Sequence, residues 1–67
     1  MTVQELTSAI PASLYYPCHI HNPKLIEEAA QGCVNRINSN GWMAIPESEA
    51  IDIFRNACVK YKARFNL

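Results

Sequence analysis

The densest cluster of metal-binding and proton-handling side chains in the sequence is Cys18-His19-Ile20-His21. Cys18 and His21 have the two-residue gap common in zinc sites, but a structural zinc needs four ligands. The other two would have to be Cys33 and Cys58, which sit on apolar helical patterns with no second close pair beside them. A strong zinc signature carries two paired ligand sets. The expectation is therefore no metal and no cofactor, with Cys33 and Cys58 as small core residues and the histidines as polar loop groups. Cys18 as a nucleophile with a neighbouring histidine as base would need that base in hydrogen-bond reach, an oxyanion site and a pocket that excludes water. Neighbours in an extended segment point apart, and a chain this short has little room for a pocket. No enzyme and no catalytic residue are expected. The two glycines, Gly32 and Gly41, cannot form a glycine-rich phosphate loop.

Two other groups of residues have the chemistry of contact surfaces. Lys60, Lys62 and Arg64 interleave with Tyr61 and Phe65, and Arg55 precedes them. Such a mixture can pair with phosphates and stack bases. It also fits a simpler reading, in which the rings fill a helix seam and the cations answer the helix dipole. Tyr15, Tyr16 and Trp42 form the second group. Tyrosine and tryptophan dominate the hot spots of protein interfaces, and they also fill the cores of small domains. The candidate partner-binding residues are Tyr15, Tyr16, Trp42, Arg55, Lys60, Lys62 and Arg64.

The whole chain limits what these groups can do. Its 67 residues suffice for one domain, spanning 1–67. A domain of this size hides only about 60% of the surface its unfolded chain exposes, so a staple, a partner or very regular helix packing is needed. At 49% hydrophobic the chain is too apolar for a disordered tail. Six bases and six acids cancel, so the chain is neither a basic nucleic-acid coat nor an acidic mimic. All the acids precede residue 53, and four of the bases follow it. Three cysteines are an odd count, and the N-terminus lacks the pattern of a signal peptide. No segment approaches the roughly 18 apolar residues of a membrane span. A cytoplasmic protein with reduced thiols and no membrane contact is the expectation.

The helical signals are clear in three places. Thr2 and Glu5 have capping-box spacing, with Leu6 and Ile10 one turn apart before Pro11, which predicts a short helix over 2–10. Asn22-Pro23 is a cap followed by a first-turn proline. Leu25, Ile26, Ala29, Ala30, Cys33, Val34 and Ile37 then keep one apolar face as far as Asn40-Gly41, which predicts a helix over 23–39. Ile51, Phe54, Cys58, Tyr61 and Phe65 alternate steps of three and four between about Pro46 and Phe65, flanked by Ala50 and Ala57. Residues 11–22 hold two prolines and no period, and read as an extended connector packed over the helices. Trp42 to Ile45 reads as an ordered turn that anchors Trp42 against both long helices. Gly32 marks either a close helix crossing or a small local flaw.

The expected fold is all-α: two long antiparallel helices with a short N-terminal helix or ordered arm beside them. A homodimer is one way to complete so small a core. The expected function is a small non-enzymatic regulator or inhibitor that binds another protein, of the kind phages and mobile elements encode. The alternative is a DNA- or RNA-binding regulator using the basic C-terminal helix. No helix-turn-helix pattern supports that alternative, because the connection near 40–46 is too long and contains Pro46.

Overall fold

Thr2 and Glu5 form the expected capping box: the Glu5 amide donates to the Thr2 hydroxyl and the Thr2 amide to the Glu5 carboxylate, both at 3.1 Å. They start α1, Val3–Ser8, in a computed structural model that describes all 67 residues. α1 is shorter than its pattern suggested. Leu6 is wholly buried and Ile10, beyond the helix end, is buried as well, so both members of that pair reach the core. Asn22 caps α3, Pro23–Ile37, by accepting the Leu25 amide at 3.2 Å. Ile26, Ala30, Cys33 and Val34 form its buried stripe, with Ala29 and Ile37 packed at the margin and Leu25 left exposed. Gly41 takes φ +82°, the left-handed conformation, and opens a single 3-10 turn, Gly41–Met43. Gly32 has no heavy atom within 4 Å of where a Cβ would stand, so it marks no close crossing.

The last helix, α4, spans Glu47–Arg64. Ala50, Phe54 and Cys58, spaced by four, are wholly buried. Ile51 and Tyr61 flank this row half-buried, whereas Ala57 faces outward and Phe65 lies past the helix end, exposed. The seam thus keeps Phe54 and Cys58 at its centre, with Ala50 in place of Ile51 as its first wholly buried member and Phe65 outside it. Acids fill its first turn and bases its last, as the helix dipole favours.

The connector is where the structure departs most from expectation. Residues 11–22 are not extended: Ala12–His21 form a fourth helix, α2, with Pro17 inside it. An interior proline removes one backbone hydrogen bond and crowds the carbonyl four residues back. The carbonyl deprived of its amide is that of Ser13, and the Lys62 ammonium of α4 donates to it at 3.4 Å. Pro11 stands ahead of the helix, where its missing amide costs nothing, and its carbonyl accepts the Leu14 and Tyr15 amides at 3.0 Å. α2 is therefore a helix set by its neighbours and lacks a distinct apolar face of its own. Tyr15 meets Phe54, Cys18 meets Cys58 and His21 meets Tyr61, so successive turns of α2 contact successive turns of α4.

The result is an all-α fold without strands. α3 packs on α4, α2 on both, and α1 on α3. Ten residues drawn from all four helices and the α1–α2 link form one buried cluster, in a body of 37 × 19 × 18 Å.

Candidate interaction site

Trp42 does not anchor the long helices. It is 90% exposed at the turn between α3 and α4, where the expected burial fails. The reason is local. Gly41 takes its left-handed conformation immediately before Trp42, and Pro46 caps the start of α4 three residues after Met43. The turn itself is held firmly. The Ile45 amide donates to the Arg36 carbonyl at 3.3 Å and the Ala44 amide to that of Gly41 at 3.2 Å. The Arg36 Nε donates to the Met43 carbonyl at 3.4 Å. Met43 is exposed beside Trp42, and the Glu47 and Glu49 side chains follow on the first turn of α4. An indole standing in water on a braced turn is poised for contact, because little ordering is left to be done on binding.

Tyr15 and Tyr16 meet edge to face with centroids 5.3 Å apart, but their settings differ. Tyr15 is half-buried, stacks on His19 and tilts against Phe54. Burial, and then the nearby Glu27 carboxylate, push its phenol above the usual range. Tyr16 is 56% exposed. Both line an open hollow of about 300 Å³ with Thr7, Ser8, Ile10 and Ala12, between the end of α1 and the start of α2.

Two of the four C-terminal cations are engaged in hydrogen bonds within the chain. Arg55 pairs with Asp52 at 2.8 Å, and Lys62 holds the Ser13 carbonyl. The Arg64 guanidinium lies 5.5 Å from the Phe65 ring centre. Lys60 is exposed, with no hydrogen bond or ion pair. The structure therefore brings Tyr15 to Tyr16 and leaves Trp42 without an aromatic neighbour.

The histidines are helical and engaged, not loop groups. His19 Nε2 donates to Glu27 at 2.9 Å, tying α2 to α3. His21 hydrogen-bonds the Tyr61 hydroxyl and packs against Phe65, whose ring lies tilted against Tyr61 in turn. Sequence spacing gave no signal for the His21–Tyr61 contact, since its members lie forty residues apart.

Cys18, Cys33 and Cys58 are free thiols, one from each of α2, α3 and α4, and all are buried. The Cys18 thiol donates to the Cys58 carbonyl at 3.4 Å. Burial, then the neighbouring Cys18 and Cys33, push the Cys58 thiol up to about 11. Burial raises Cys33 as well, against the pull of Arg36. No three His, Cys, Asp or Glu side chains converge in a way that could hold a metal ion.

No family model, curated protein or solved structure matches the chain. No helix is long and apolar enough to cross a membrane.

Proposed function

We propose that this is a non-enzymatic protein, a small regulator or inhibitor, that acts by binding another protein with Trp42 as its anchor. The observation that carries the reading is the 90% exposure of the chain's one tryptophan on a turn braced by three hydrogen bonds. A large, rigid, amphipathic ring loses little entropy on docking, which is why tryptophan is enriched among interface hot spots. Met43 adds an adaptable apolar neighbour. The exposed Tyr16 and the hollow it lines supply a second contact area, and Lys60 and Arg64 orient an approaching partner. Arg55 and Lys62, already held within the chain, contribute less.

The test is affinity capture from cells of the source organism, with wild type and Trp42→Ala run side by side. The expected result is one stoichiometric protein, retained after nuclease treatment and lost with Trp42→Ala, whose circular dichroism is unchanged. Capture that is indifferent to Trp42→Ala would overturn the reading. Capture that vanishes with nuclease would point to nucleic acid instead.

A further inference from the structure

The contact between α2 and α4 holds chemistry that partner binding does not use. Cys18 and Cys58 are both wholly buried where these helices meet, and the Cys18 thiol lies 3.4 Å from the carbonyl of Cys58 itself. The two residues thus meet across the contact, forty positions apart in sequence, with the Cys18 side chain also close enough to act on the Cys58 thiol. A disulfide needs such opposed residues, with Cα atoms about 4.4–6.8 Å apart. We propose that Cys18 and Cys58 are a disulfide-forming pair, oxidised by a low-molecular-weight disulfide such as glutathione disulfide, and that the bond fastens α2 to α4.

Sealed in the core, neither thiol reacts while α2 is seated. Reaction passes through an opening of α2, and that helix is built to open. Pro11 gives it no side-chain cap, Pro17 interrupts its hydrogen-bond ladder, and no single apolar face secures it. Ile20 stands 76% exposed on it. Beyond the Cys18 contact, its polar ties to the rest of the chain are side-chain bonds at the surface: His19 to Glu27, His21 to Tyr61 and Lys62 to Ser13. Elements with few buried contacts and exposed hydrogen bonds open at low free energy.

The step balances as two exchanges. The Cys18 thiolate on the opened helix attacks one sulfur of glutathione disulfide, forming a mixed disulfide and expelling glutathione thiolate. The same opening exposes Cys58, whose thiolate attacks the Cys18 sulfur and expels the second glutathione before α2 reseats. Two protein thiols are oxidised by two electrons, and both protons leave on two molecules of glutathione. Cys33, on α3 and in no hydrogen bond with either residue, stays a thiol, which accounts for the odd count.

The experiment treats the full chain with glutathione disulfide, then quenches with iodoacetamide in denaturant. Intact mass, a non-reducing peptide map and thermal denaturation follow. The expected product is lighter by two hydrogens before alkylation, links Cys18 to Cys58, and carries the alkyl group on Cys33. Because the bond closes a long loop, it should melt higher by roughly 10 °C or more. Cys33→Ala should give the same link, and Cys18→Ala should give none. Lys62→Met, which frees the Ser13 carbonyl, should speed the linking severalfold. A link that includes Cys33, a glutathione adduct as the end product, or a lower melting temperature would overturn the proposal. A linking rate indifferent to Lys62→Met would overturn its route.

Discussion

Replacing Pro17 by alanine restores one amide, and its effect can be worked through from α2. An interior proline costs a helix about 3 kcal/mol relative to alanine. Three terms oppose that gain. The unfolded chain recovers freedom worth about 0.4–1 kcal/mol. Pro17 is half-buried, and trimming its ring forfeits about 1 kcal/mol of apolar burial. The Lys62 bond to Ser13, long and partly exposed, becomes redundant, a loss of about 0.5 kcal/mol. The net is a stabilisation of about 1 kcal/mol, read as a rise of roughly 4–8 °C in melting temperature. The sharper assay is a double-mutant cycle with Lys62→Met, which keeps most of the aliphatic stem and removes the donor. In the parent chain Lys62→Met should cost about 0.5 kcal/mol, because a charge-assisted hydrogen bond is exchanged for one to water. In the Pro17→Ala background it should cost almost nothing. Thermal and urea denaturation followed by circular dichroism supply all four corners. Equal losses in the two backgrounds, or a destabilising Pro17→Ala, would refute the assignment of Lys62 to the orphaned carbonyl.

The core ranks its own substitutions. Phe54→Asp, at a wholly buried site, should leave the chain unfolded by circular dichroism, whereas Ile51→Asp, half-buried, should lower the melting temperature and leave a cooperative transition. Asn22→Ala removes the cap of α3 and should cost about 1 kcal/mol, seen as a shift in urea midpoint with an unchanged slope. Alkaline pH should destabilise the fold. The Cys58 thiol keeps its proton up to about 11 when folded but loses it near 9.0 when unfolded, so the unfolded state binds fewer protons between these values. Burial of Cys33 and Tyr15 acts in the same sense. Melting temperatures should fall as pH rises from about 9 towards 11, and less steeply in Cys58→Ala.

Local chemistry made α1, α3 and much of α4 legible in the sequence. Thr2 with Glu5, Asn22 with Pro23, and the left-handed Gly41 each act within a few residues, and the buried stripes of α3 and α4 repeat at helical spacing. α2 was not legible, because its stability is borrowed. Two prolines and the lack of an apolar face conceal a helix that Lys62, Glu27, Tyr61 and Cys58 hold from other parts of the chain. Of the seven residues singled out for contact, Tyr15 and Lys62 have engagements within the chain that spacing did not disclose, whereas Arg55 pairs with Asp52 at ordinary helical i, i+3 spacing. Trp42 was expected either to anchor against the long helices or to serve as a contact residue, and the turn opened by the left-handed Gly41 leaves it in solvent.

Trp42 is the only tryptophan, so the protein's indole fluorescence reports on this one side chain. The direct measurement is its emission maximum and acrylamide quenching, free and then with the captured partner at saturation. Free protein should emit as a fully solvated indole and be quenched freely, consistent with 90% exposure. With the partner bound, the emission should shift to the blue and the quenching should fall severalfold. A blue-shifted, protected indole in the free protein would contradict the exposed turn. An emission left unchanged by a saturating partner would contradict Trp42 as the anchor.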